Sequence, residues 1–499
     1  MKRHLYAVLA VMLCATASAT AVDIADLQAG TLASRLTDAQ KQDATLTVSG
    51  SINARDFETI KEEMKNLRQL DLSGATIAAY IPAKPIMNGV AGYDANVLPE
   101  MALFNCGLTE LKLPAGLTRI ADHALAGNSF ATIALPASLT SLGDDAFYGC
   151  KALTEITLPA ATETVGQFAF AGCTALKTVD FSASKLTALH QGVLKNDAAI
   201  TEVKLPAALA SIGDDAFAGC KALKWINLPD GLKTIGKEAF TMSGLTYATI
   251  PESVTSLGDF AFARCEDLTQ ANIKNASCAL GKGLFFYDPK FTNLYGEALT
   301  IVPDYCFSGD AAFLVTGPNT FENTTEIGDY ALLDNGSEKV TFSGSLTYLG
   351  DGAMEGMTGL KSVDVSALDT NVPALGTGVW SGVDQSAAVL TVASDSKNSW
   401  QAADQWKEFT INELTTVTPS IYDSADSTRA WFEGKTLHIA STSEIENVKV
   451  YMSDGRTAAL LSPFSTMADI DTSDFSEKVY VVVVQCADKA SSRVFKLMR

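Results

Sequence analysis

Proline follows an aliphatic residue at Pro114, Pro136, Pro159, Pro206, Pro229 and Pro251, and Ser182 fills the one missing slot, so the steps are 22, 23, 23, 24, 23 and 22 residues. The intervening residues repeat in phase. Leu135-Pro-Ala-Ser-Leu-Thr-Ser-Leu-Gly-Asp-Asp-Ala-Phe-Tyr-Gly-Cys-Lys-Ala-Leu153 is nearly duplicated by Leu205-Pro-Ala-Ala-Leu-Ala-Ser-Ile-Gly-Asp-Asp-Ala-Phe-Ala-Gly-Cys-Lys-Ala-Leu223. A period this even constrains the fold more than any other feature. One such unit buries almost nothing alone, whereas stacked units share a continuous core. At 499 residues the chain is too long for one compact core, and an open-ended array removes that difficulty.

Each unit has a physical reading. Leu153-Thr-Glu-Ile156-Thr-Leu158-Pro159 alternates apolar and polar residues and ends on a proline that cannot continue a ladder, which predicts a short strand. Leu139, Leu142 and Ala146-Phe147 supply the next apolar contacts, in a segment expected to be a short helix or turn, and Gly143 lets the chain bend. Strands of successive units are then about 4.8 Å apart. Caps are expected at both ends. Residues 22–66 read as the N-terminal cap: Leu46–Ile52 leads to Asp56 as a helix N-cap, followed by Phe57, Ile60, Met64 and Leu67 on one helical face. Residues 67–365 carry the repeats, with regularity fading over 274–320, where Gly281, Gly283 and Phe285-Phe286-Tyr287 break the pattern. Residues 366–415, with Trp400, Ala403, Trp406 and Phe409, read as the closing cap.

Residues 67–365 and their caps resemble the BspA-like bacterial leucine-rich repeat family. The resemblance rests on the L-P-x-x-L/V-x-x-I-G-x-x-A-F-x-G-C-x-x-L pattern and on the terminal Ser396…Trp400…Ala403…Trp406-Lys407-x-Phe409 segment. It implies a cell-surface or secreted protein used in adhesion or interaction. It does not name the partner, since one scaffold serves unrelated ligands.

The termini point the same way. Lys2 and Arg3 precede an apolar run from Leu5 to Leu13, and small residues end at Ala21, the layout of a cleaved secretory signal over residues 1–21. Leu13 precedes Cys14 where lipid attachment would require a small residue. Losing Lys2 and Arg3 takes the net charge from −20 to −22. Such a balance disfavours nucleic acid and anionic membrane surfaces as partners. From Ser420 the repeat does not return. Short β-type runs such as Thr436–Ile439, Val448–Tyr451, Ala468–Ile470, Val479–Val484 and Arg493–Leu497 predict a small all-β domain over 420–499, of sandwich type. This domain looks like the C-terminal sorting domain of type IX secretion substrates. The matching residues are Val448–Tyr451 with Asp454-Gly455-Arg456, Ile470–Ser473 and Val479-Tyr480, with a basic end at Arg493, Lys496 and Arg499. The departure is Lys478, where such domains carry glycine. The resemblance implies contact with outer-membrane export machinery, and cleavage with surface attachment of the rest.

No cofactor, metal or catalytic group is expected. Cys106, Cys150, Cys173, Cys220 and Cys265 share one repeat column with Asn128, Asp197 and Ser243, so the column reads as a small hydrogen-bonding side chain at a turn rather than a disulfide framework. The Asp144, Asp214, Asp259, Asp329 and Asp351 column supplies too few oxygens for calcium, is interrupted by Gln167 and Lys237, and reads as turn or capping duty. His123 and His190 fall at non-equivalent positions without a phased nucleophile, and the chain reads as non-enzymatic.

Period two selects the candidate binding face. With Ile156 and Leu158 inward, Glu155 and Thr157 point outward, and the same phase exposes Glu110/Lys112, Thr132/Ala134, Thr178/Asp180 and Glu202/Lys204. The next rungs present Trp225/Asn227, Tyr247/Thr249 and Gln270/Asn272. Neighbouring aromatics flanked by amides suit a protein or glycan ligand, with host extracellular matrix among the candidates. The competing expectation is that Trp225 and Tyr247 merely cover each other. Adhesion or protein interaction is the first reading, and glycan binding in a nutrient-capture system is the alternative.

Overall fold

The computed structural model describes residues 21–81, 92–296, 299–313, 315 and 323–414, and in the C-terminal part 428–433, 435–452, 456–463, 465–472, 475, 479–486 and 493–498. The expected signal segment 1–20 and, in the C-terminal motif, Asp454-Gly455, Ser473, Lys478 and Arg499 lie outside the described residues. Two compact units emerge. One comprises the described residues up to Asp364 with Asn371–Val389 and Ala403–Thr410; the other comprises Val365–Thr370, Leu390–Ala402 and those from Ile411 on.

The first unit is a parallel solenoid. Its opening strands, Val22–Leu27, Thr45–Ile52 and Gln69–Ile77, pair in parallel and pass the ladder to Glu110–Lys112. The cap helix, Ala54–Glu63, begins earlier than expected. Its N-cap is Asn53, not Asp56, and Asp56 is the third helical residue of a capping box. The correction has a physical cause. The fully buried Asp56 carboxylate collects three backbone N–H groups, from Gly30 (2.6 Å), Leu32 (2.8 Å) and Asn53 (2.9 Å), and so ties the helix start to the preceding loop.

Most repeats contribute two strand columns rather than one, the first column carrying no strand at Thr132–Ala134 or Trp225–Asn227. The predicted three-residue strands stack in register, as Glu155–Thr157, Thr178–Asp180 and Glu202–Lys204 do. A second column of two-residue strands follows, including Ser141–Leu142, Thr164–Val165, Ser211–Ile212, Thr234–Ile235 and Ser256–Leu257. The remainder of each unit is turn, with no helix. It is held by a ladder of its own, in which alternate N–H groups reach the next rung: Asp215, Phe217 and Gly219 donate to the carbonyls of Lys237, Ala239 and Thr241. Aiming N–H groups at alternate residues this way forces two left-handed residues per rung, here Asp215 and Gly219. Between them the Ala-Phe pair turns inward, and the buried rings stack along the axis. Phe217, Phe240 and Phe262 lie 5.0 and 5.3 Å apart, with near-parallel planes.

Among the described residues of 274–320 the turn ladder and the ring column continue, with Gly283, Phe285 and Tyr287 donating to the Asp304, Cys306 and Ser308 carbonyls. Both strand ladders are interrupted: one ends at Ala279–Leu280 and restarts at Ile301–Val302, the other ends at Asn293–Gly296 and restarts at Lys339–Thr341. Asn293–Gly296 pairs with Gln270–Ile273, and Phe285 and Phe307 continue the ring column 5.8 Å apart. The sequence irregularity reflects substitution within rungs, with Phe291 and Phe313 adding rings to that core. Stacking also continues past Val365, as Tyr348–Leu349 pairs with Ala374–Leu375. The rung that follows replaces the column phenylalanine with Trp380, which meets Trp406 and Phe409 at 5.2 and 5.0 Å.

The second unit contains the closing helix Lys397–Ala402, whose buried Trp400 donates from Nε1 to the Asp369 carbonyl at 2.9 Å. Its main body is antiparallel β-structure. A 17-residue strand, Thr436–Met452, pairs along its first half with Arg429–Glu433 and Ser465–Asp471. Along its second half it pairs with Thr457–Leu461 and Val479–Cys486, and Arg493–Met498 adds to the latter. The switch occurs at a register shift between Ala440 and Ile445. Alternate residues Leu437, Ile439, Val448, Val450, Tyr480, Val482 and Val484 are fully buried, so period two sets a one-sided core. The small all-β domain expected from the sequence is therefore present.

Candidate functional site

Outward residues of the first strand column fall where period two places them. Glu155 and Thr157 are exposed around a buried Ile156, and Glu110 and Lys112 around a buried Leu111. Toward the N-terminal rungs this face is charged and internally paired. Lys112 bridges Asp71 at 2.9 Å, and Lys204 reaches Glu202 at 3.4 Å and Asp180 at 3.6 Å. These exposed pairs adjust local ionisation: the Lys204 ammonium is held up by Glu202 and Asp180, and Asp180 is held down by the Ser182 hydroxyl and Lys204.

The character changes at Trp225. The neighbouring ladders end on either side of this rung, one at Glu202–Lys204 and the other at Tyr247–Ile250, and no described ladder includes Trp225–Asn227. Trp225 is 62% exposed and Tyr247 39%. No ring contact joins them among the described residues, so the structure does not show the mutual cover that would have made them an ordinary cross-strand pair. Beyond them the ladder aligns side chains in two outward files. Tyr247 is in register with Gln270 and then Asn293; Thr249 is in register with Asn272 and then Tyr295. Asn293 and the 46%-exposed Tyr295 extend the face. Sequence reading missed them because Phe291-Thr-Asn-Leu-Tyr295 lacks the Leu-Pro marker, although a 23-residue step from Gln270 and Asn272 lands on both.

Trp225, Asn227, Tyr247 and Thr249 line a depression of about 670 Å³ bounded by Glu202, Lys204 and Lys274. It offers ring area and directional amides, while its bordering charges Glu202 and Lys204 are already paired with one another.

The polar columns are structural. Cys150, Cys173, Cys220 and Cys265 each donate from Sγ to the carbonyl of the residue before the variable turn position one rung back, Leu125, Phe147, Leu194 and Phe240, at 3.2 Å. Asn128 fills the same slot, donating from Nδ2 to the Leu103 and Leu125 carbonyls at 2.8 Å. Cys106, Cys150, Cys173, Cys220, Cys265, Cys278 and Cys306 are free thiols. Burial raises the thiols of Cys220 and Cys265, and hydrogen bonding with Cys150 together with burial raises that of Cys173, so these three are poor thiolate nucleophiles. The acidic column has a matching explanation. Asp144, Asp214, Asp259, Asp329 and Asp351 accept, through Oδ1, the N–H of Gln167, Lys237, Lys282, Asp351 and Thr377 on the following rung. One oxygen of each is held by the backbone, and no cluster of three or more metal-binding side chains occurs among the described residues.

Two parallel strand columns per repeat, joined by turns around internal aliphatic and phenylalanine files, define a leucine-rich-repeat solenoid. The model of the BspA type leucine-rich repeat region matches residues 96–206, 187–314 and 297–383 in six copies. The chain belongs to this family. No curated protein matches it in sequence. Among solved structures, a leucine-rich repeat protein from Bacteroides ovatus is similar at 23% identity and a TM-score of 0.57, over 70% of this chain and 84% of that one. A leucine-rich cell surface protein from Faecalibacterium prausnitzii is 19% identical with a TM-score of 0.38, over 67% of this chain and 86% of that one.

Proposed function

We propose that this chain is a non-enzymatic surface protein that holds a partner protein on the aromatic and amide face running from Trp225 to Tyr295. The observation that carries the reading is Trp225, 62% exposed on a rung without a ladder, beside an exposed Tyr247. Exposing large rings is unfavourable unless something covers them, and tryptophan and tyrosine dominate the binding energy of protein interfaces. A Trp225→Ala, Tyr247→Ala double variant is expected to lose partner binding by more than about thirtyfold while folding normally, as read on arrays of host-matrix proteins. Unchanged binding would reject the patch.

A second reading, glycan capture, draws on the neutral amides Asn227, Gln270, Asn272 and Asn293 spread over both outward files, which suit sugar hydroxyls. Selective retention on polysaccharide arrays would favour it over adhesion.

Export is the other half of the proposal. The first strand begins at Val22, directly after the expected cleavage position, which suits a signal ending at Ala21. No described helix is long and apolar enough to cross a membrane. The C-terminal part from residue 420, whose described strands begin at Arg429, then serves as the sorting domain and is removed on arrival. Mass analysis of the surface-exposed form is expected to find the chain truncated before Arg499; an intact C-terminus would overturn this step.

A further inference from the structure

One position in every rung adopts the left-handed conformation just before the polar column. Glycine occupies it in seven rungs, and Asn105, Asn196 and Asp334 in three more. These are the residues that tolerate such backbone. Three consecutive rungs depart from this rule: Met242 (φ 53°), Arg264 (φ 57°) and Tyr287 (φ 59°). The other left-handed column also holds bulky residues, but there Phe168, Phe260, Tyr305 and Tyr330 are half-buried, and an added Cβ on Gly192 or Gly283 of the next rung would run into the Phe168 or Phe260 ring at 2.2 Å. Packing explains that column, and in part Tyr287, whose ring lies beside Phe286 at 4.6 Å and over Gly309 of the next rung, where an added Cβ would meet it at 3.0 Å. Met242, Arg264 and Tyr287 are instead exposed, at 45% for Met242 and 50% for Tyr287. Strained backbone that displays side chains to solvent is a recurrent property of ligand clamps.

The three residues surround a depression of about 550 Å³ that shares no lining residue with the one at Trp225. Its charge pattern is unusual for a chain of net charge −20. Lys224, from two rungs before, and Lys290, from the rung after, both reach Asp267 at 2.7 Å and hold its carboxyl down at about 2. Arg264 lies over the Phe286 ring at 5.9 Å, and Lys221 is exposed on the rim. With Glu266, four cationic groups face two carboxylates, and Asp267 is already neutralised by its two lysines. A local positive excess thus sits beside an exposed thioether and an exposed phenol.

We propose that this edge is a second interaction site, which binds an acidic segment of a partner protein. A partner carboxylate pairs with Arg264 and Lys221, and an adjacent apolar side chain lies between Met242 and Tyr287. Methionine, tyrosine and arginine are the residue types that protein interfaces enrich, and the adaptable methionine suits a peptide.

The test uses the full chain and short capped peptides carrying a leucine or tyrosine flanked by glutamates, with glutamine- and lysine-flanked counterparts and an oligogalacturonate as controls, followed by calorimetry. The glutamate peptides are expected to bind, and Arg264→Gln to weaken them about thirtyfold. The triple variant Met242→Gly, Arg264→Gly, Tyr287→Gly is expected to abolish binding while raising the thermal midpoint by a few degrees, because glycine relieves the left-handed strain. A Trp225→Ala, Tyr247→Ala variant is expected to keep this binding, which separates the two sites. Charge-independent binding, preference for the oligosaccharide, loss through the Trp225 and Tyr247 changes, or a lowered midpoint in the triple-glycine variant would each overturn the proposal.

Discussion

Replacing Phe240 by alanine is expected to cost about 3–5 kcal/mol and to split the unfolding of the solenoid into two transitions. The ring is fully buried and stacked between Phe217 at 5.0 Å and Phe262 at 5.3 Å. Its removal leaves a cavity open to both neighbours. In a compact domain such a loss is shared across many contacts. Here each repeat touches only the next, so coupling between the halves runs through this interface. Leucine already fills the same column at Leu125, Leu194 and Leu332, all fully buried. Phe240→Leu should therefore be mild and keep a single transition. Urea unfolding followed by hydrogen exchange would show which block opens first. One cooperative transition shifted by less than about 1 kcal/mol would show that the ring column is not the seam of the array.

Asp288→Asn with Asp310→Asn is expected to stabilise the protein at pH 8 and to flatten its pH dependence. Both carboxyls are fully buried in the polar column on successive rungs. Each uses Oδ1 to accept a backbone N–H, from Cys265 for Asp288 and from Asp288 for Asp310, both at 2.7 Å. Their Oδ2 atoms have no partner. Burial pushes both carboxyls well above the usual range, and Asp310 pushes Asp288 further. The folded chain then retains protons that the unfolded chain releases near pH 4. Stability is full below that value and falls as pH rises toward the folded-state pKa, by about 1.4 kcal/mol per pH unit for each carboxyl still protonated only in the fold. Asp267 acts in the opposite sense, but only below pH 4, because its carboxyl is depressed. Asparagine is neutral throughout and suits the column: Asn335 donates there to the Asp310 and Phe313 carbonyls. Urea midpoints measured at pH 4.5 and 8 should draw closer in the double variant, with the remaining gap set by Asp197, whose buried carboxyl is likewise raised. Equal slopes in the parent chain and the variant would show that the pair is already ionised.

The repeat made most of the solenoid legible. Leu-Pro spacing set the rung, alternation in Leu153–Leu158 set which side chains face inward, and interchange of Cys with Asn, Asp and Ser marked a turn slot rather than a disulfide framework. Recognition by marker residues has a limit. Asn293 and Tyr295 continue the outward files of Tyr247 and Thr249 but have no proline after them. Asp56 has the chemistry of an N-cap, and only the loop around Gly30 and Leu32 reveals that its carboxylate serves three N–H groups from the third helical position. The second strand column was equally hidden, since two residues cannot show a period.

Thus the sequence by itself determined a stacked array, its inward and outward phases and the candidacy of Trp225 and Tyr247, because those follow from spacing along one chain. The tertiary structure alone decided what depends on adjacent rungs. It showed the ladder missing at Trp225–Asn227, the backbone duty of the aspartate column, the burial that raises the carboxyls of Asp288 and Asp310, and the left-handed strain at Met242, Arg264 and Tyr287. Each of these arises where residues about 23 positions apart come within hydrogen-bonding or van der Waals reach, a distance that the local pattern of either residue does not encode.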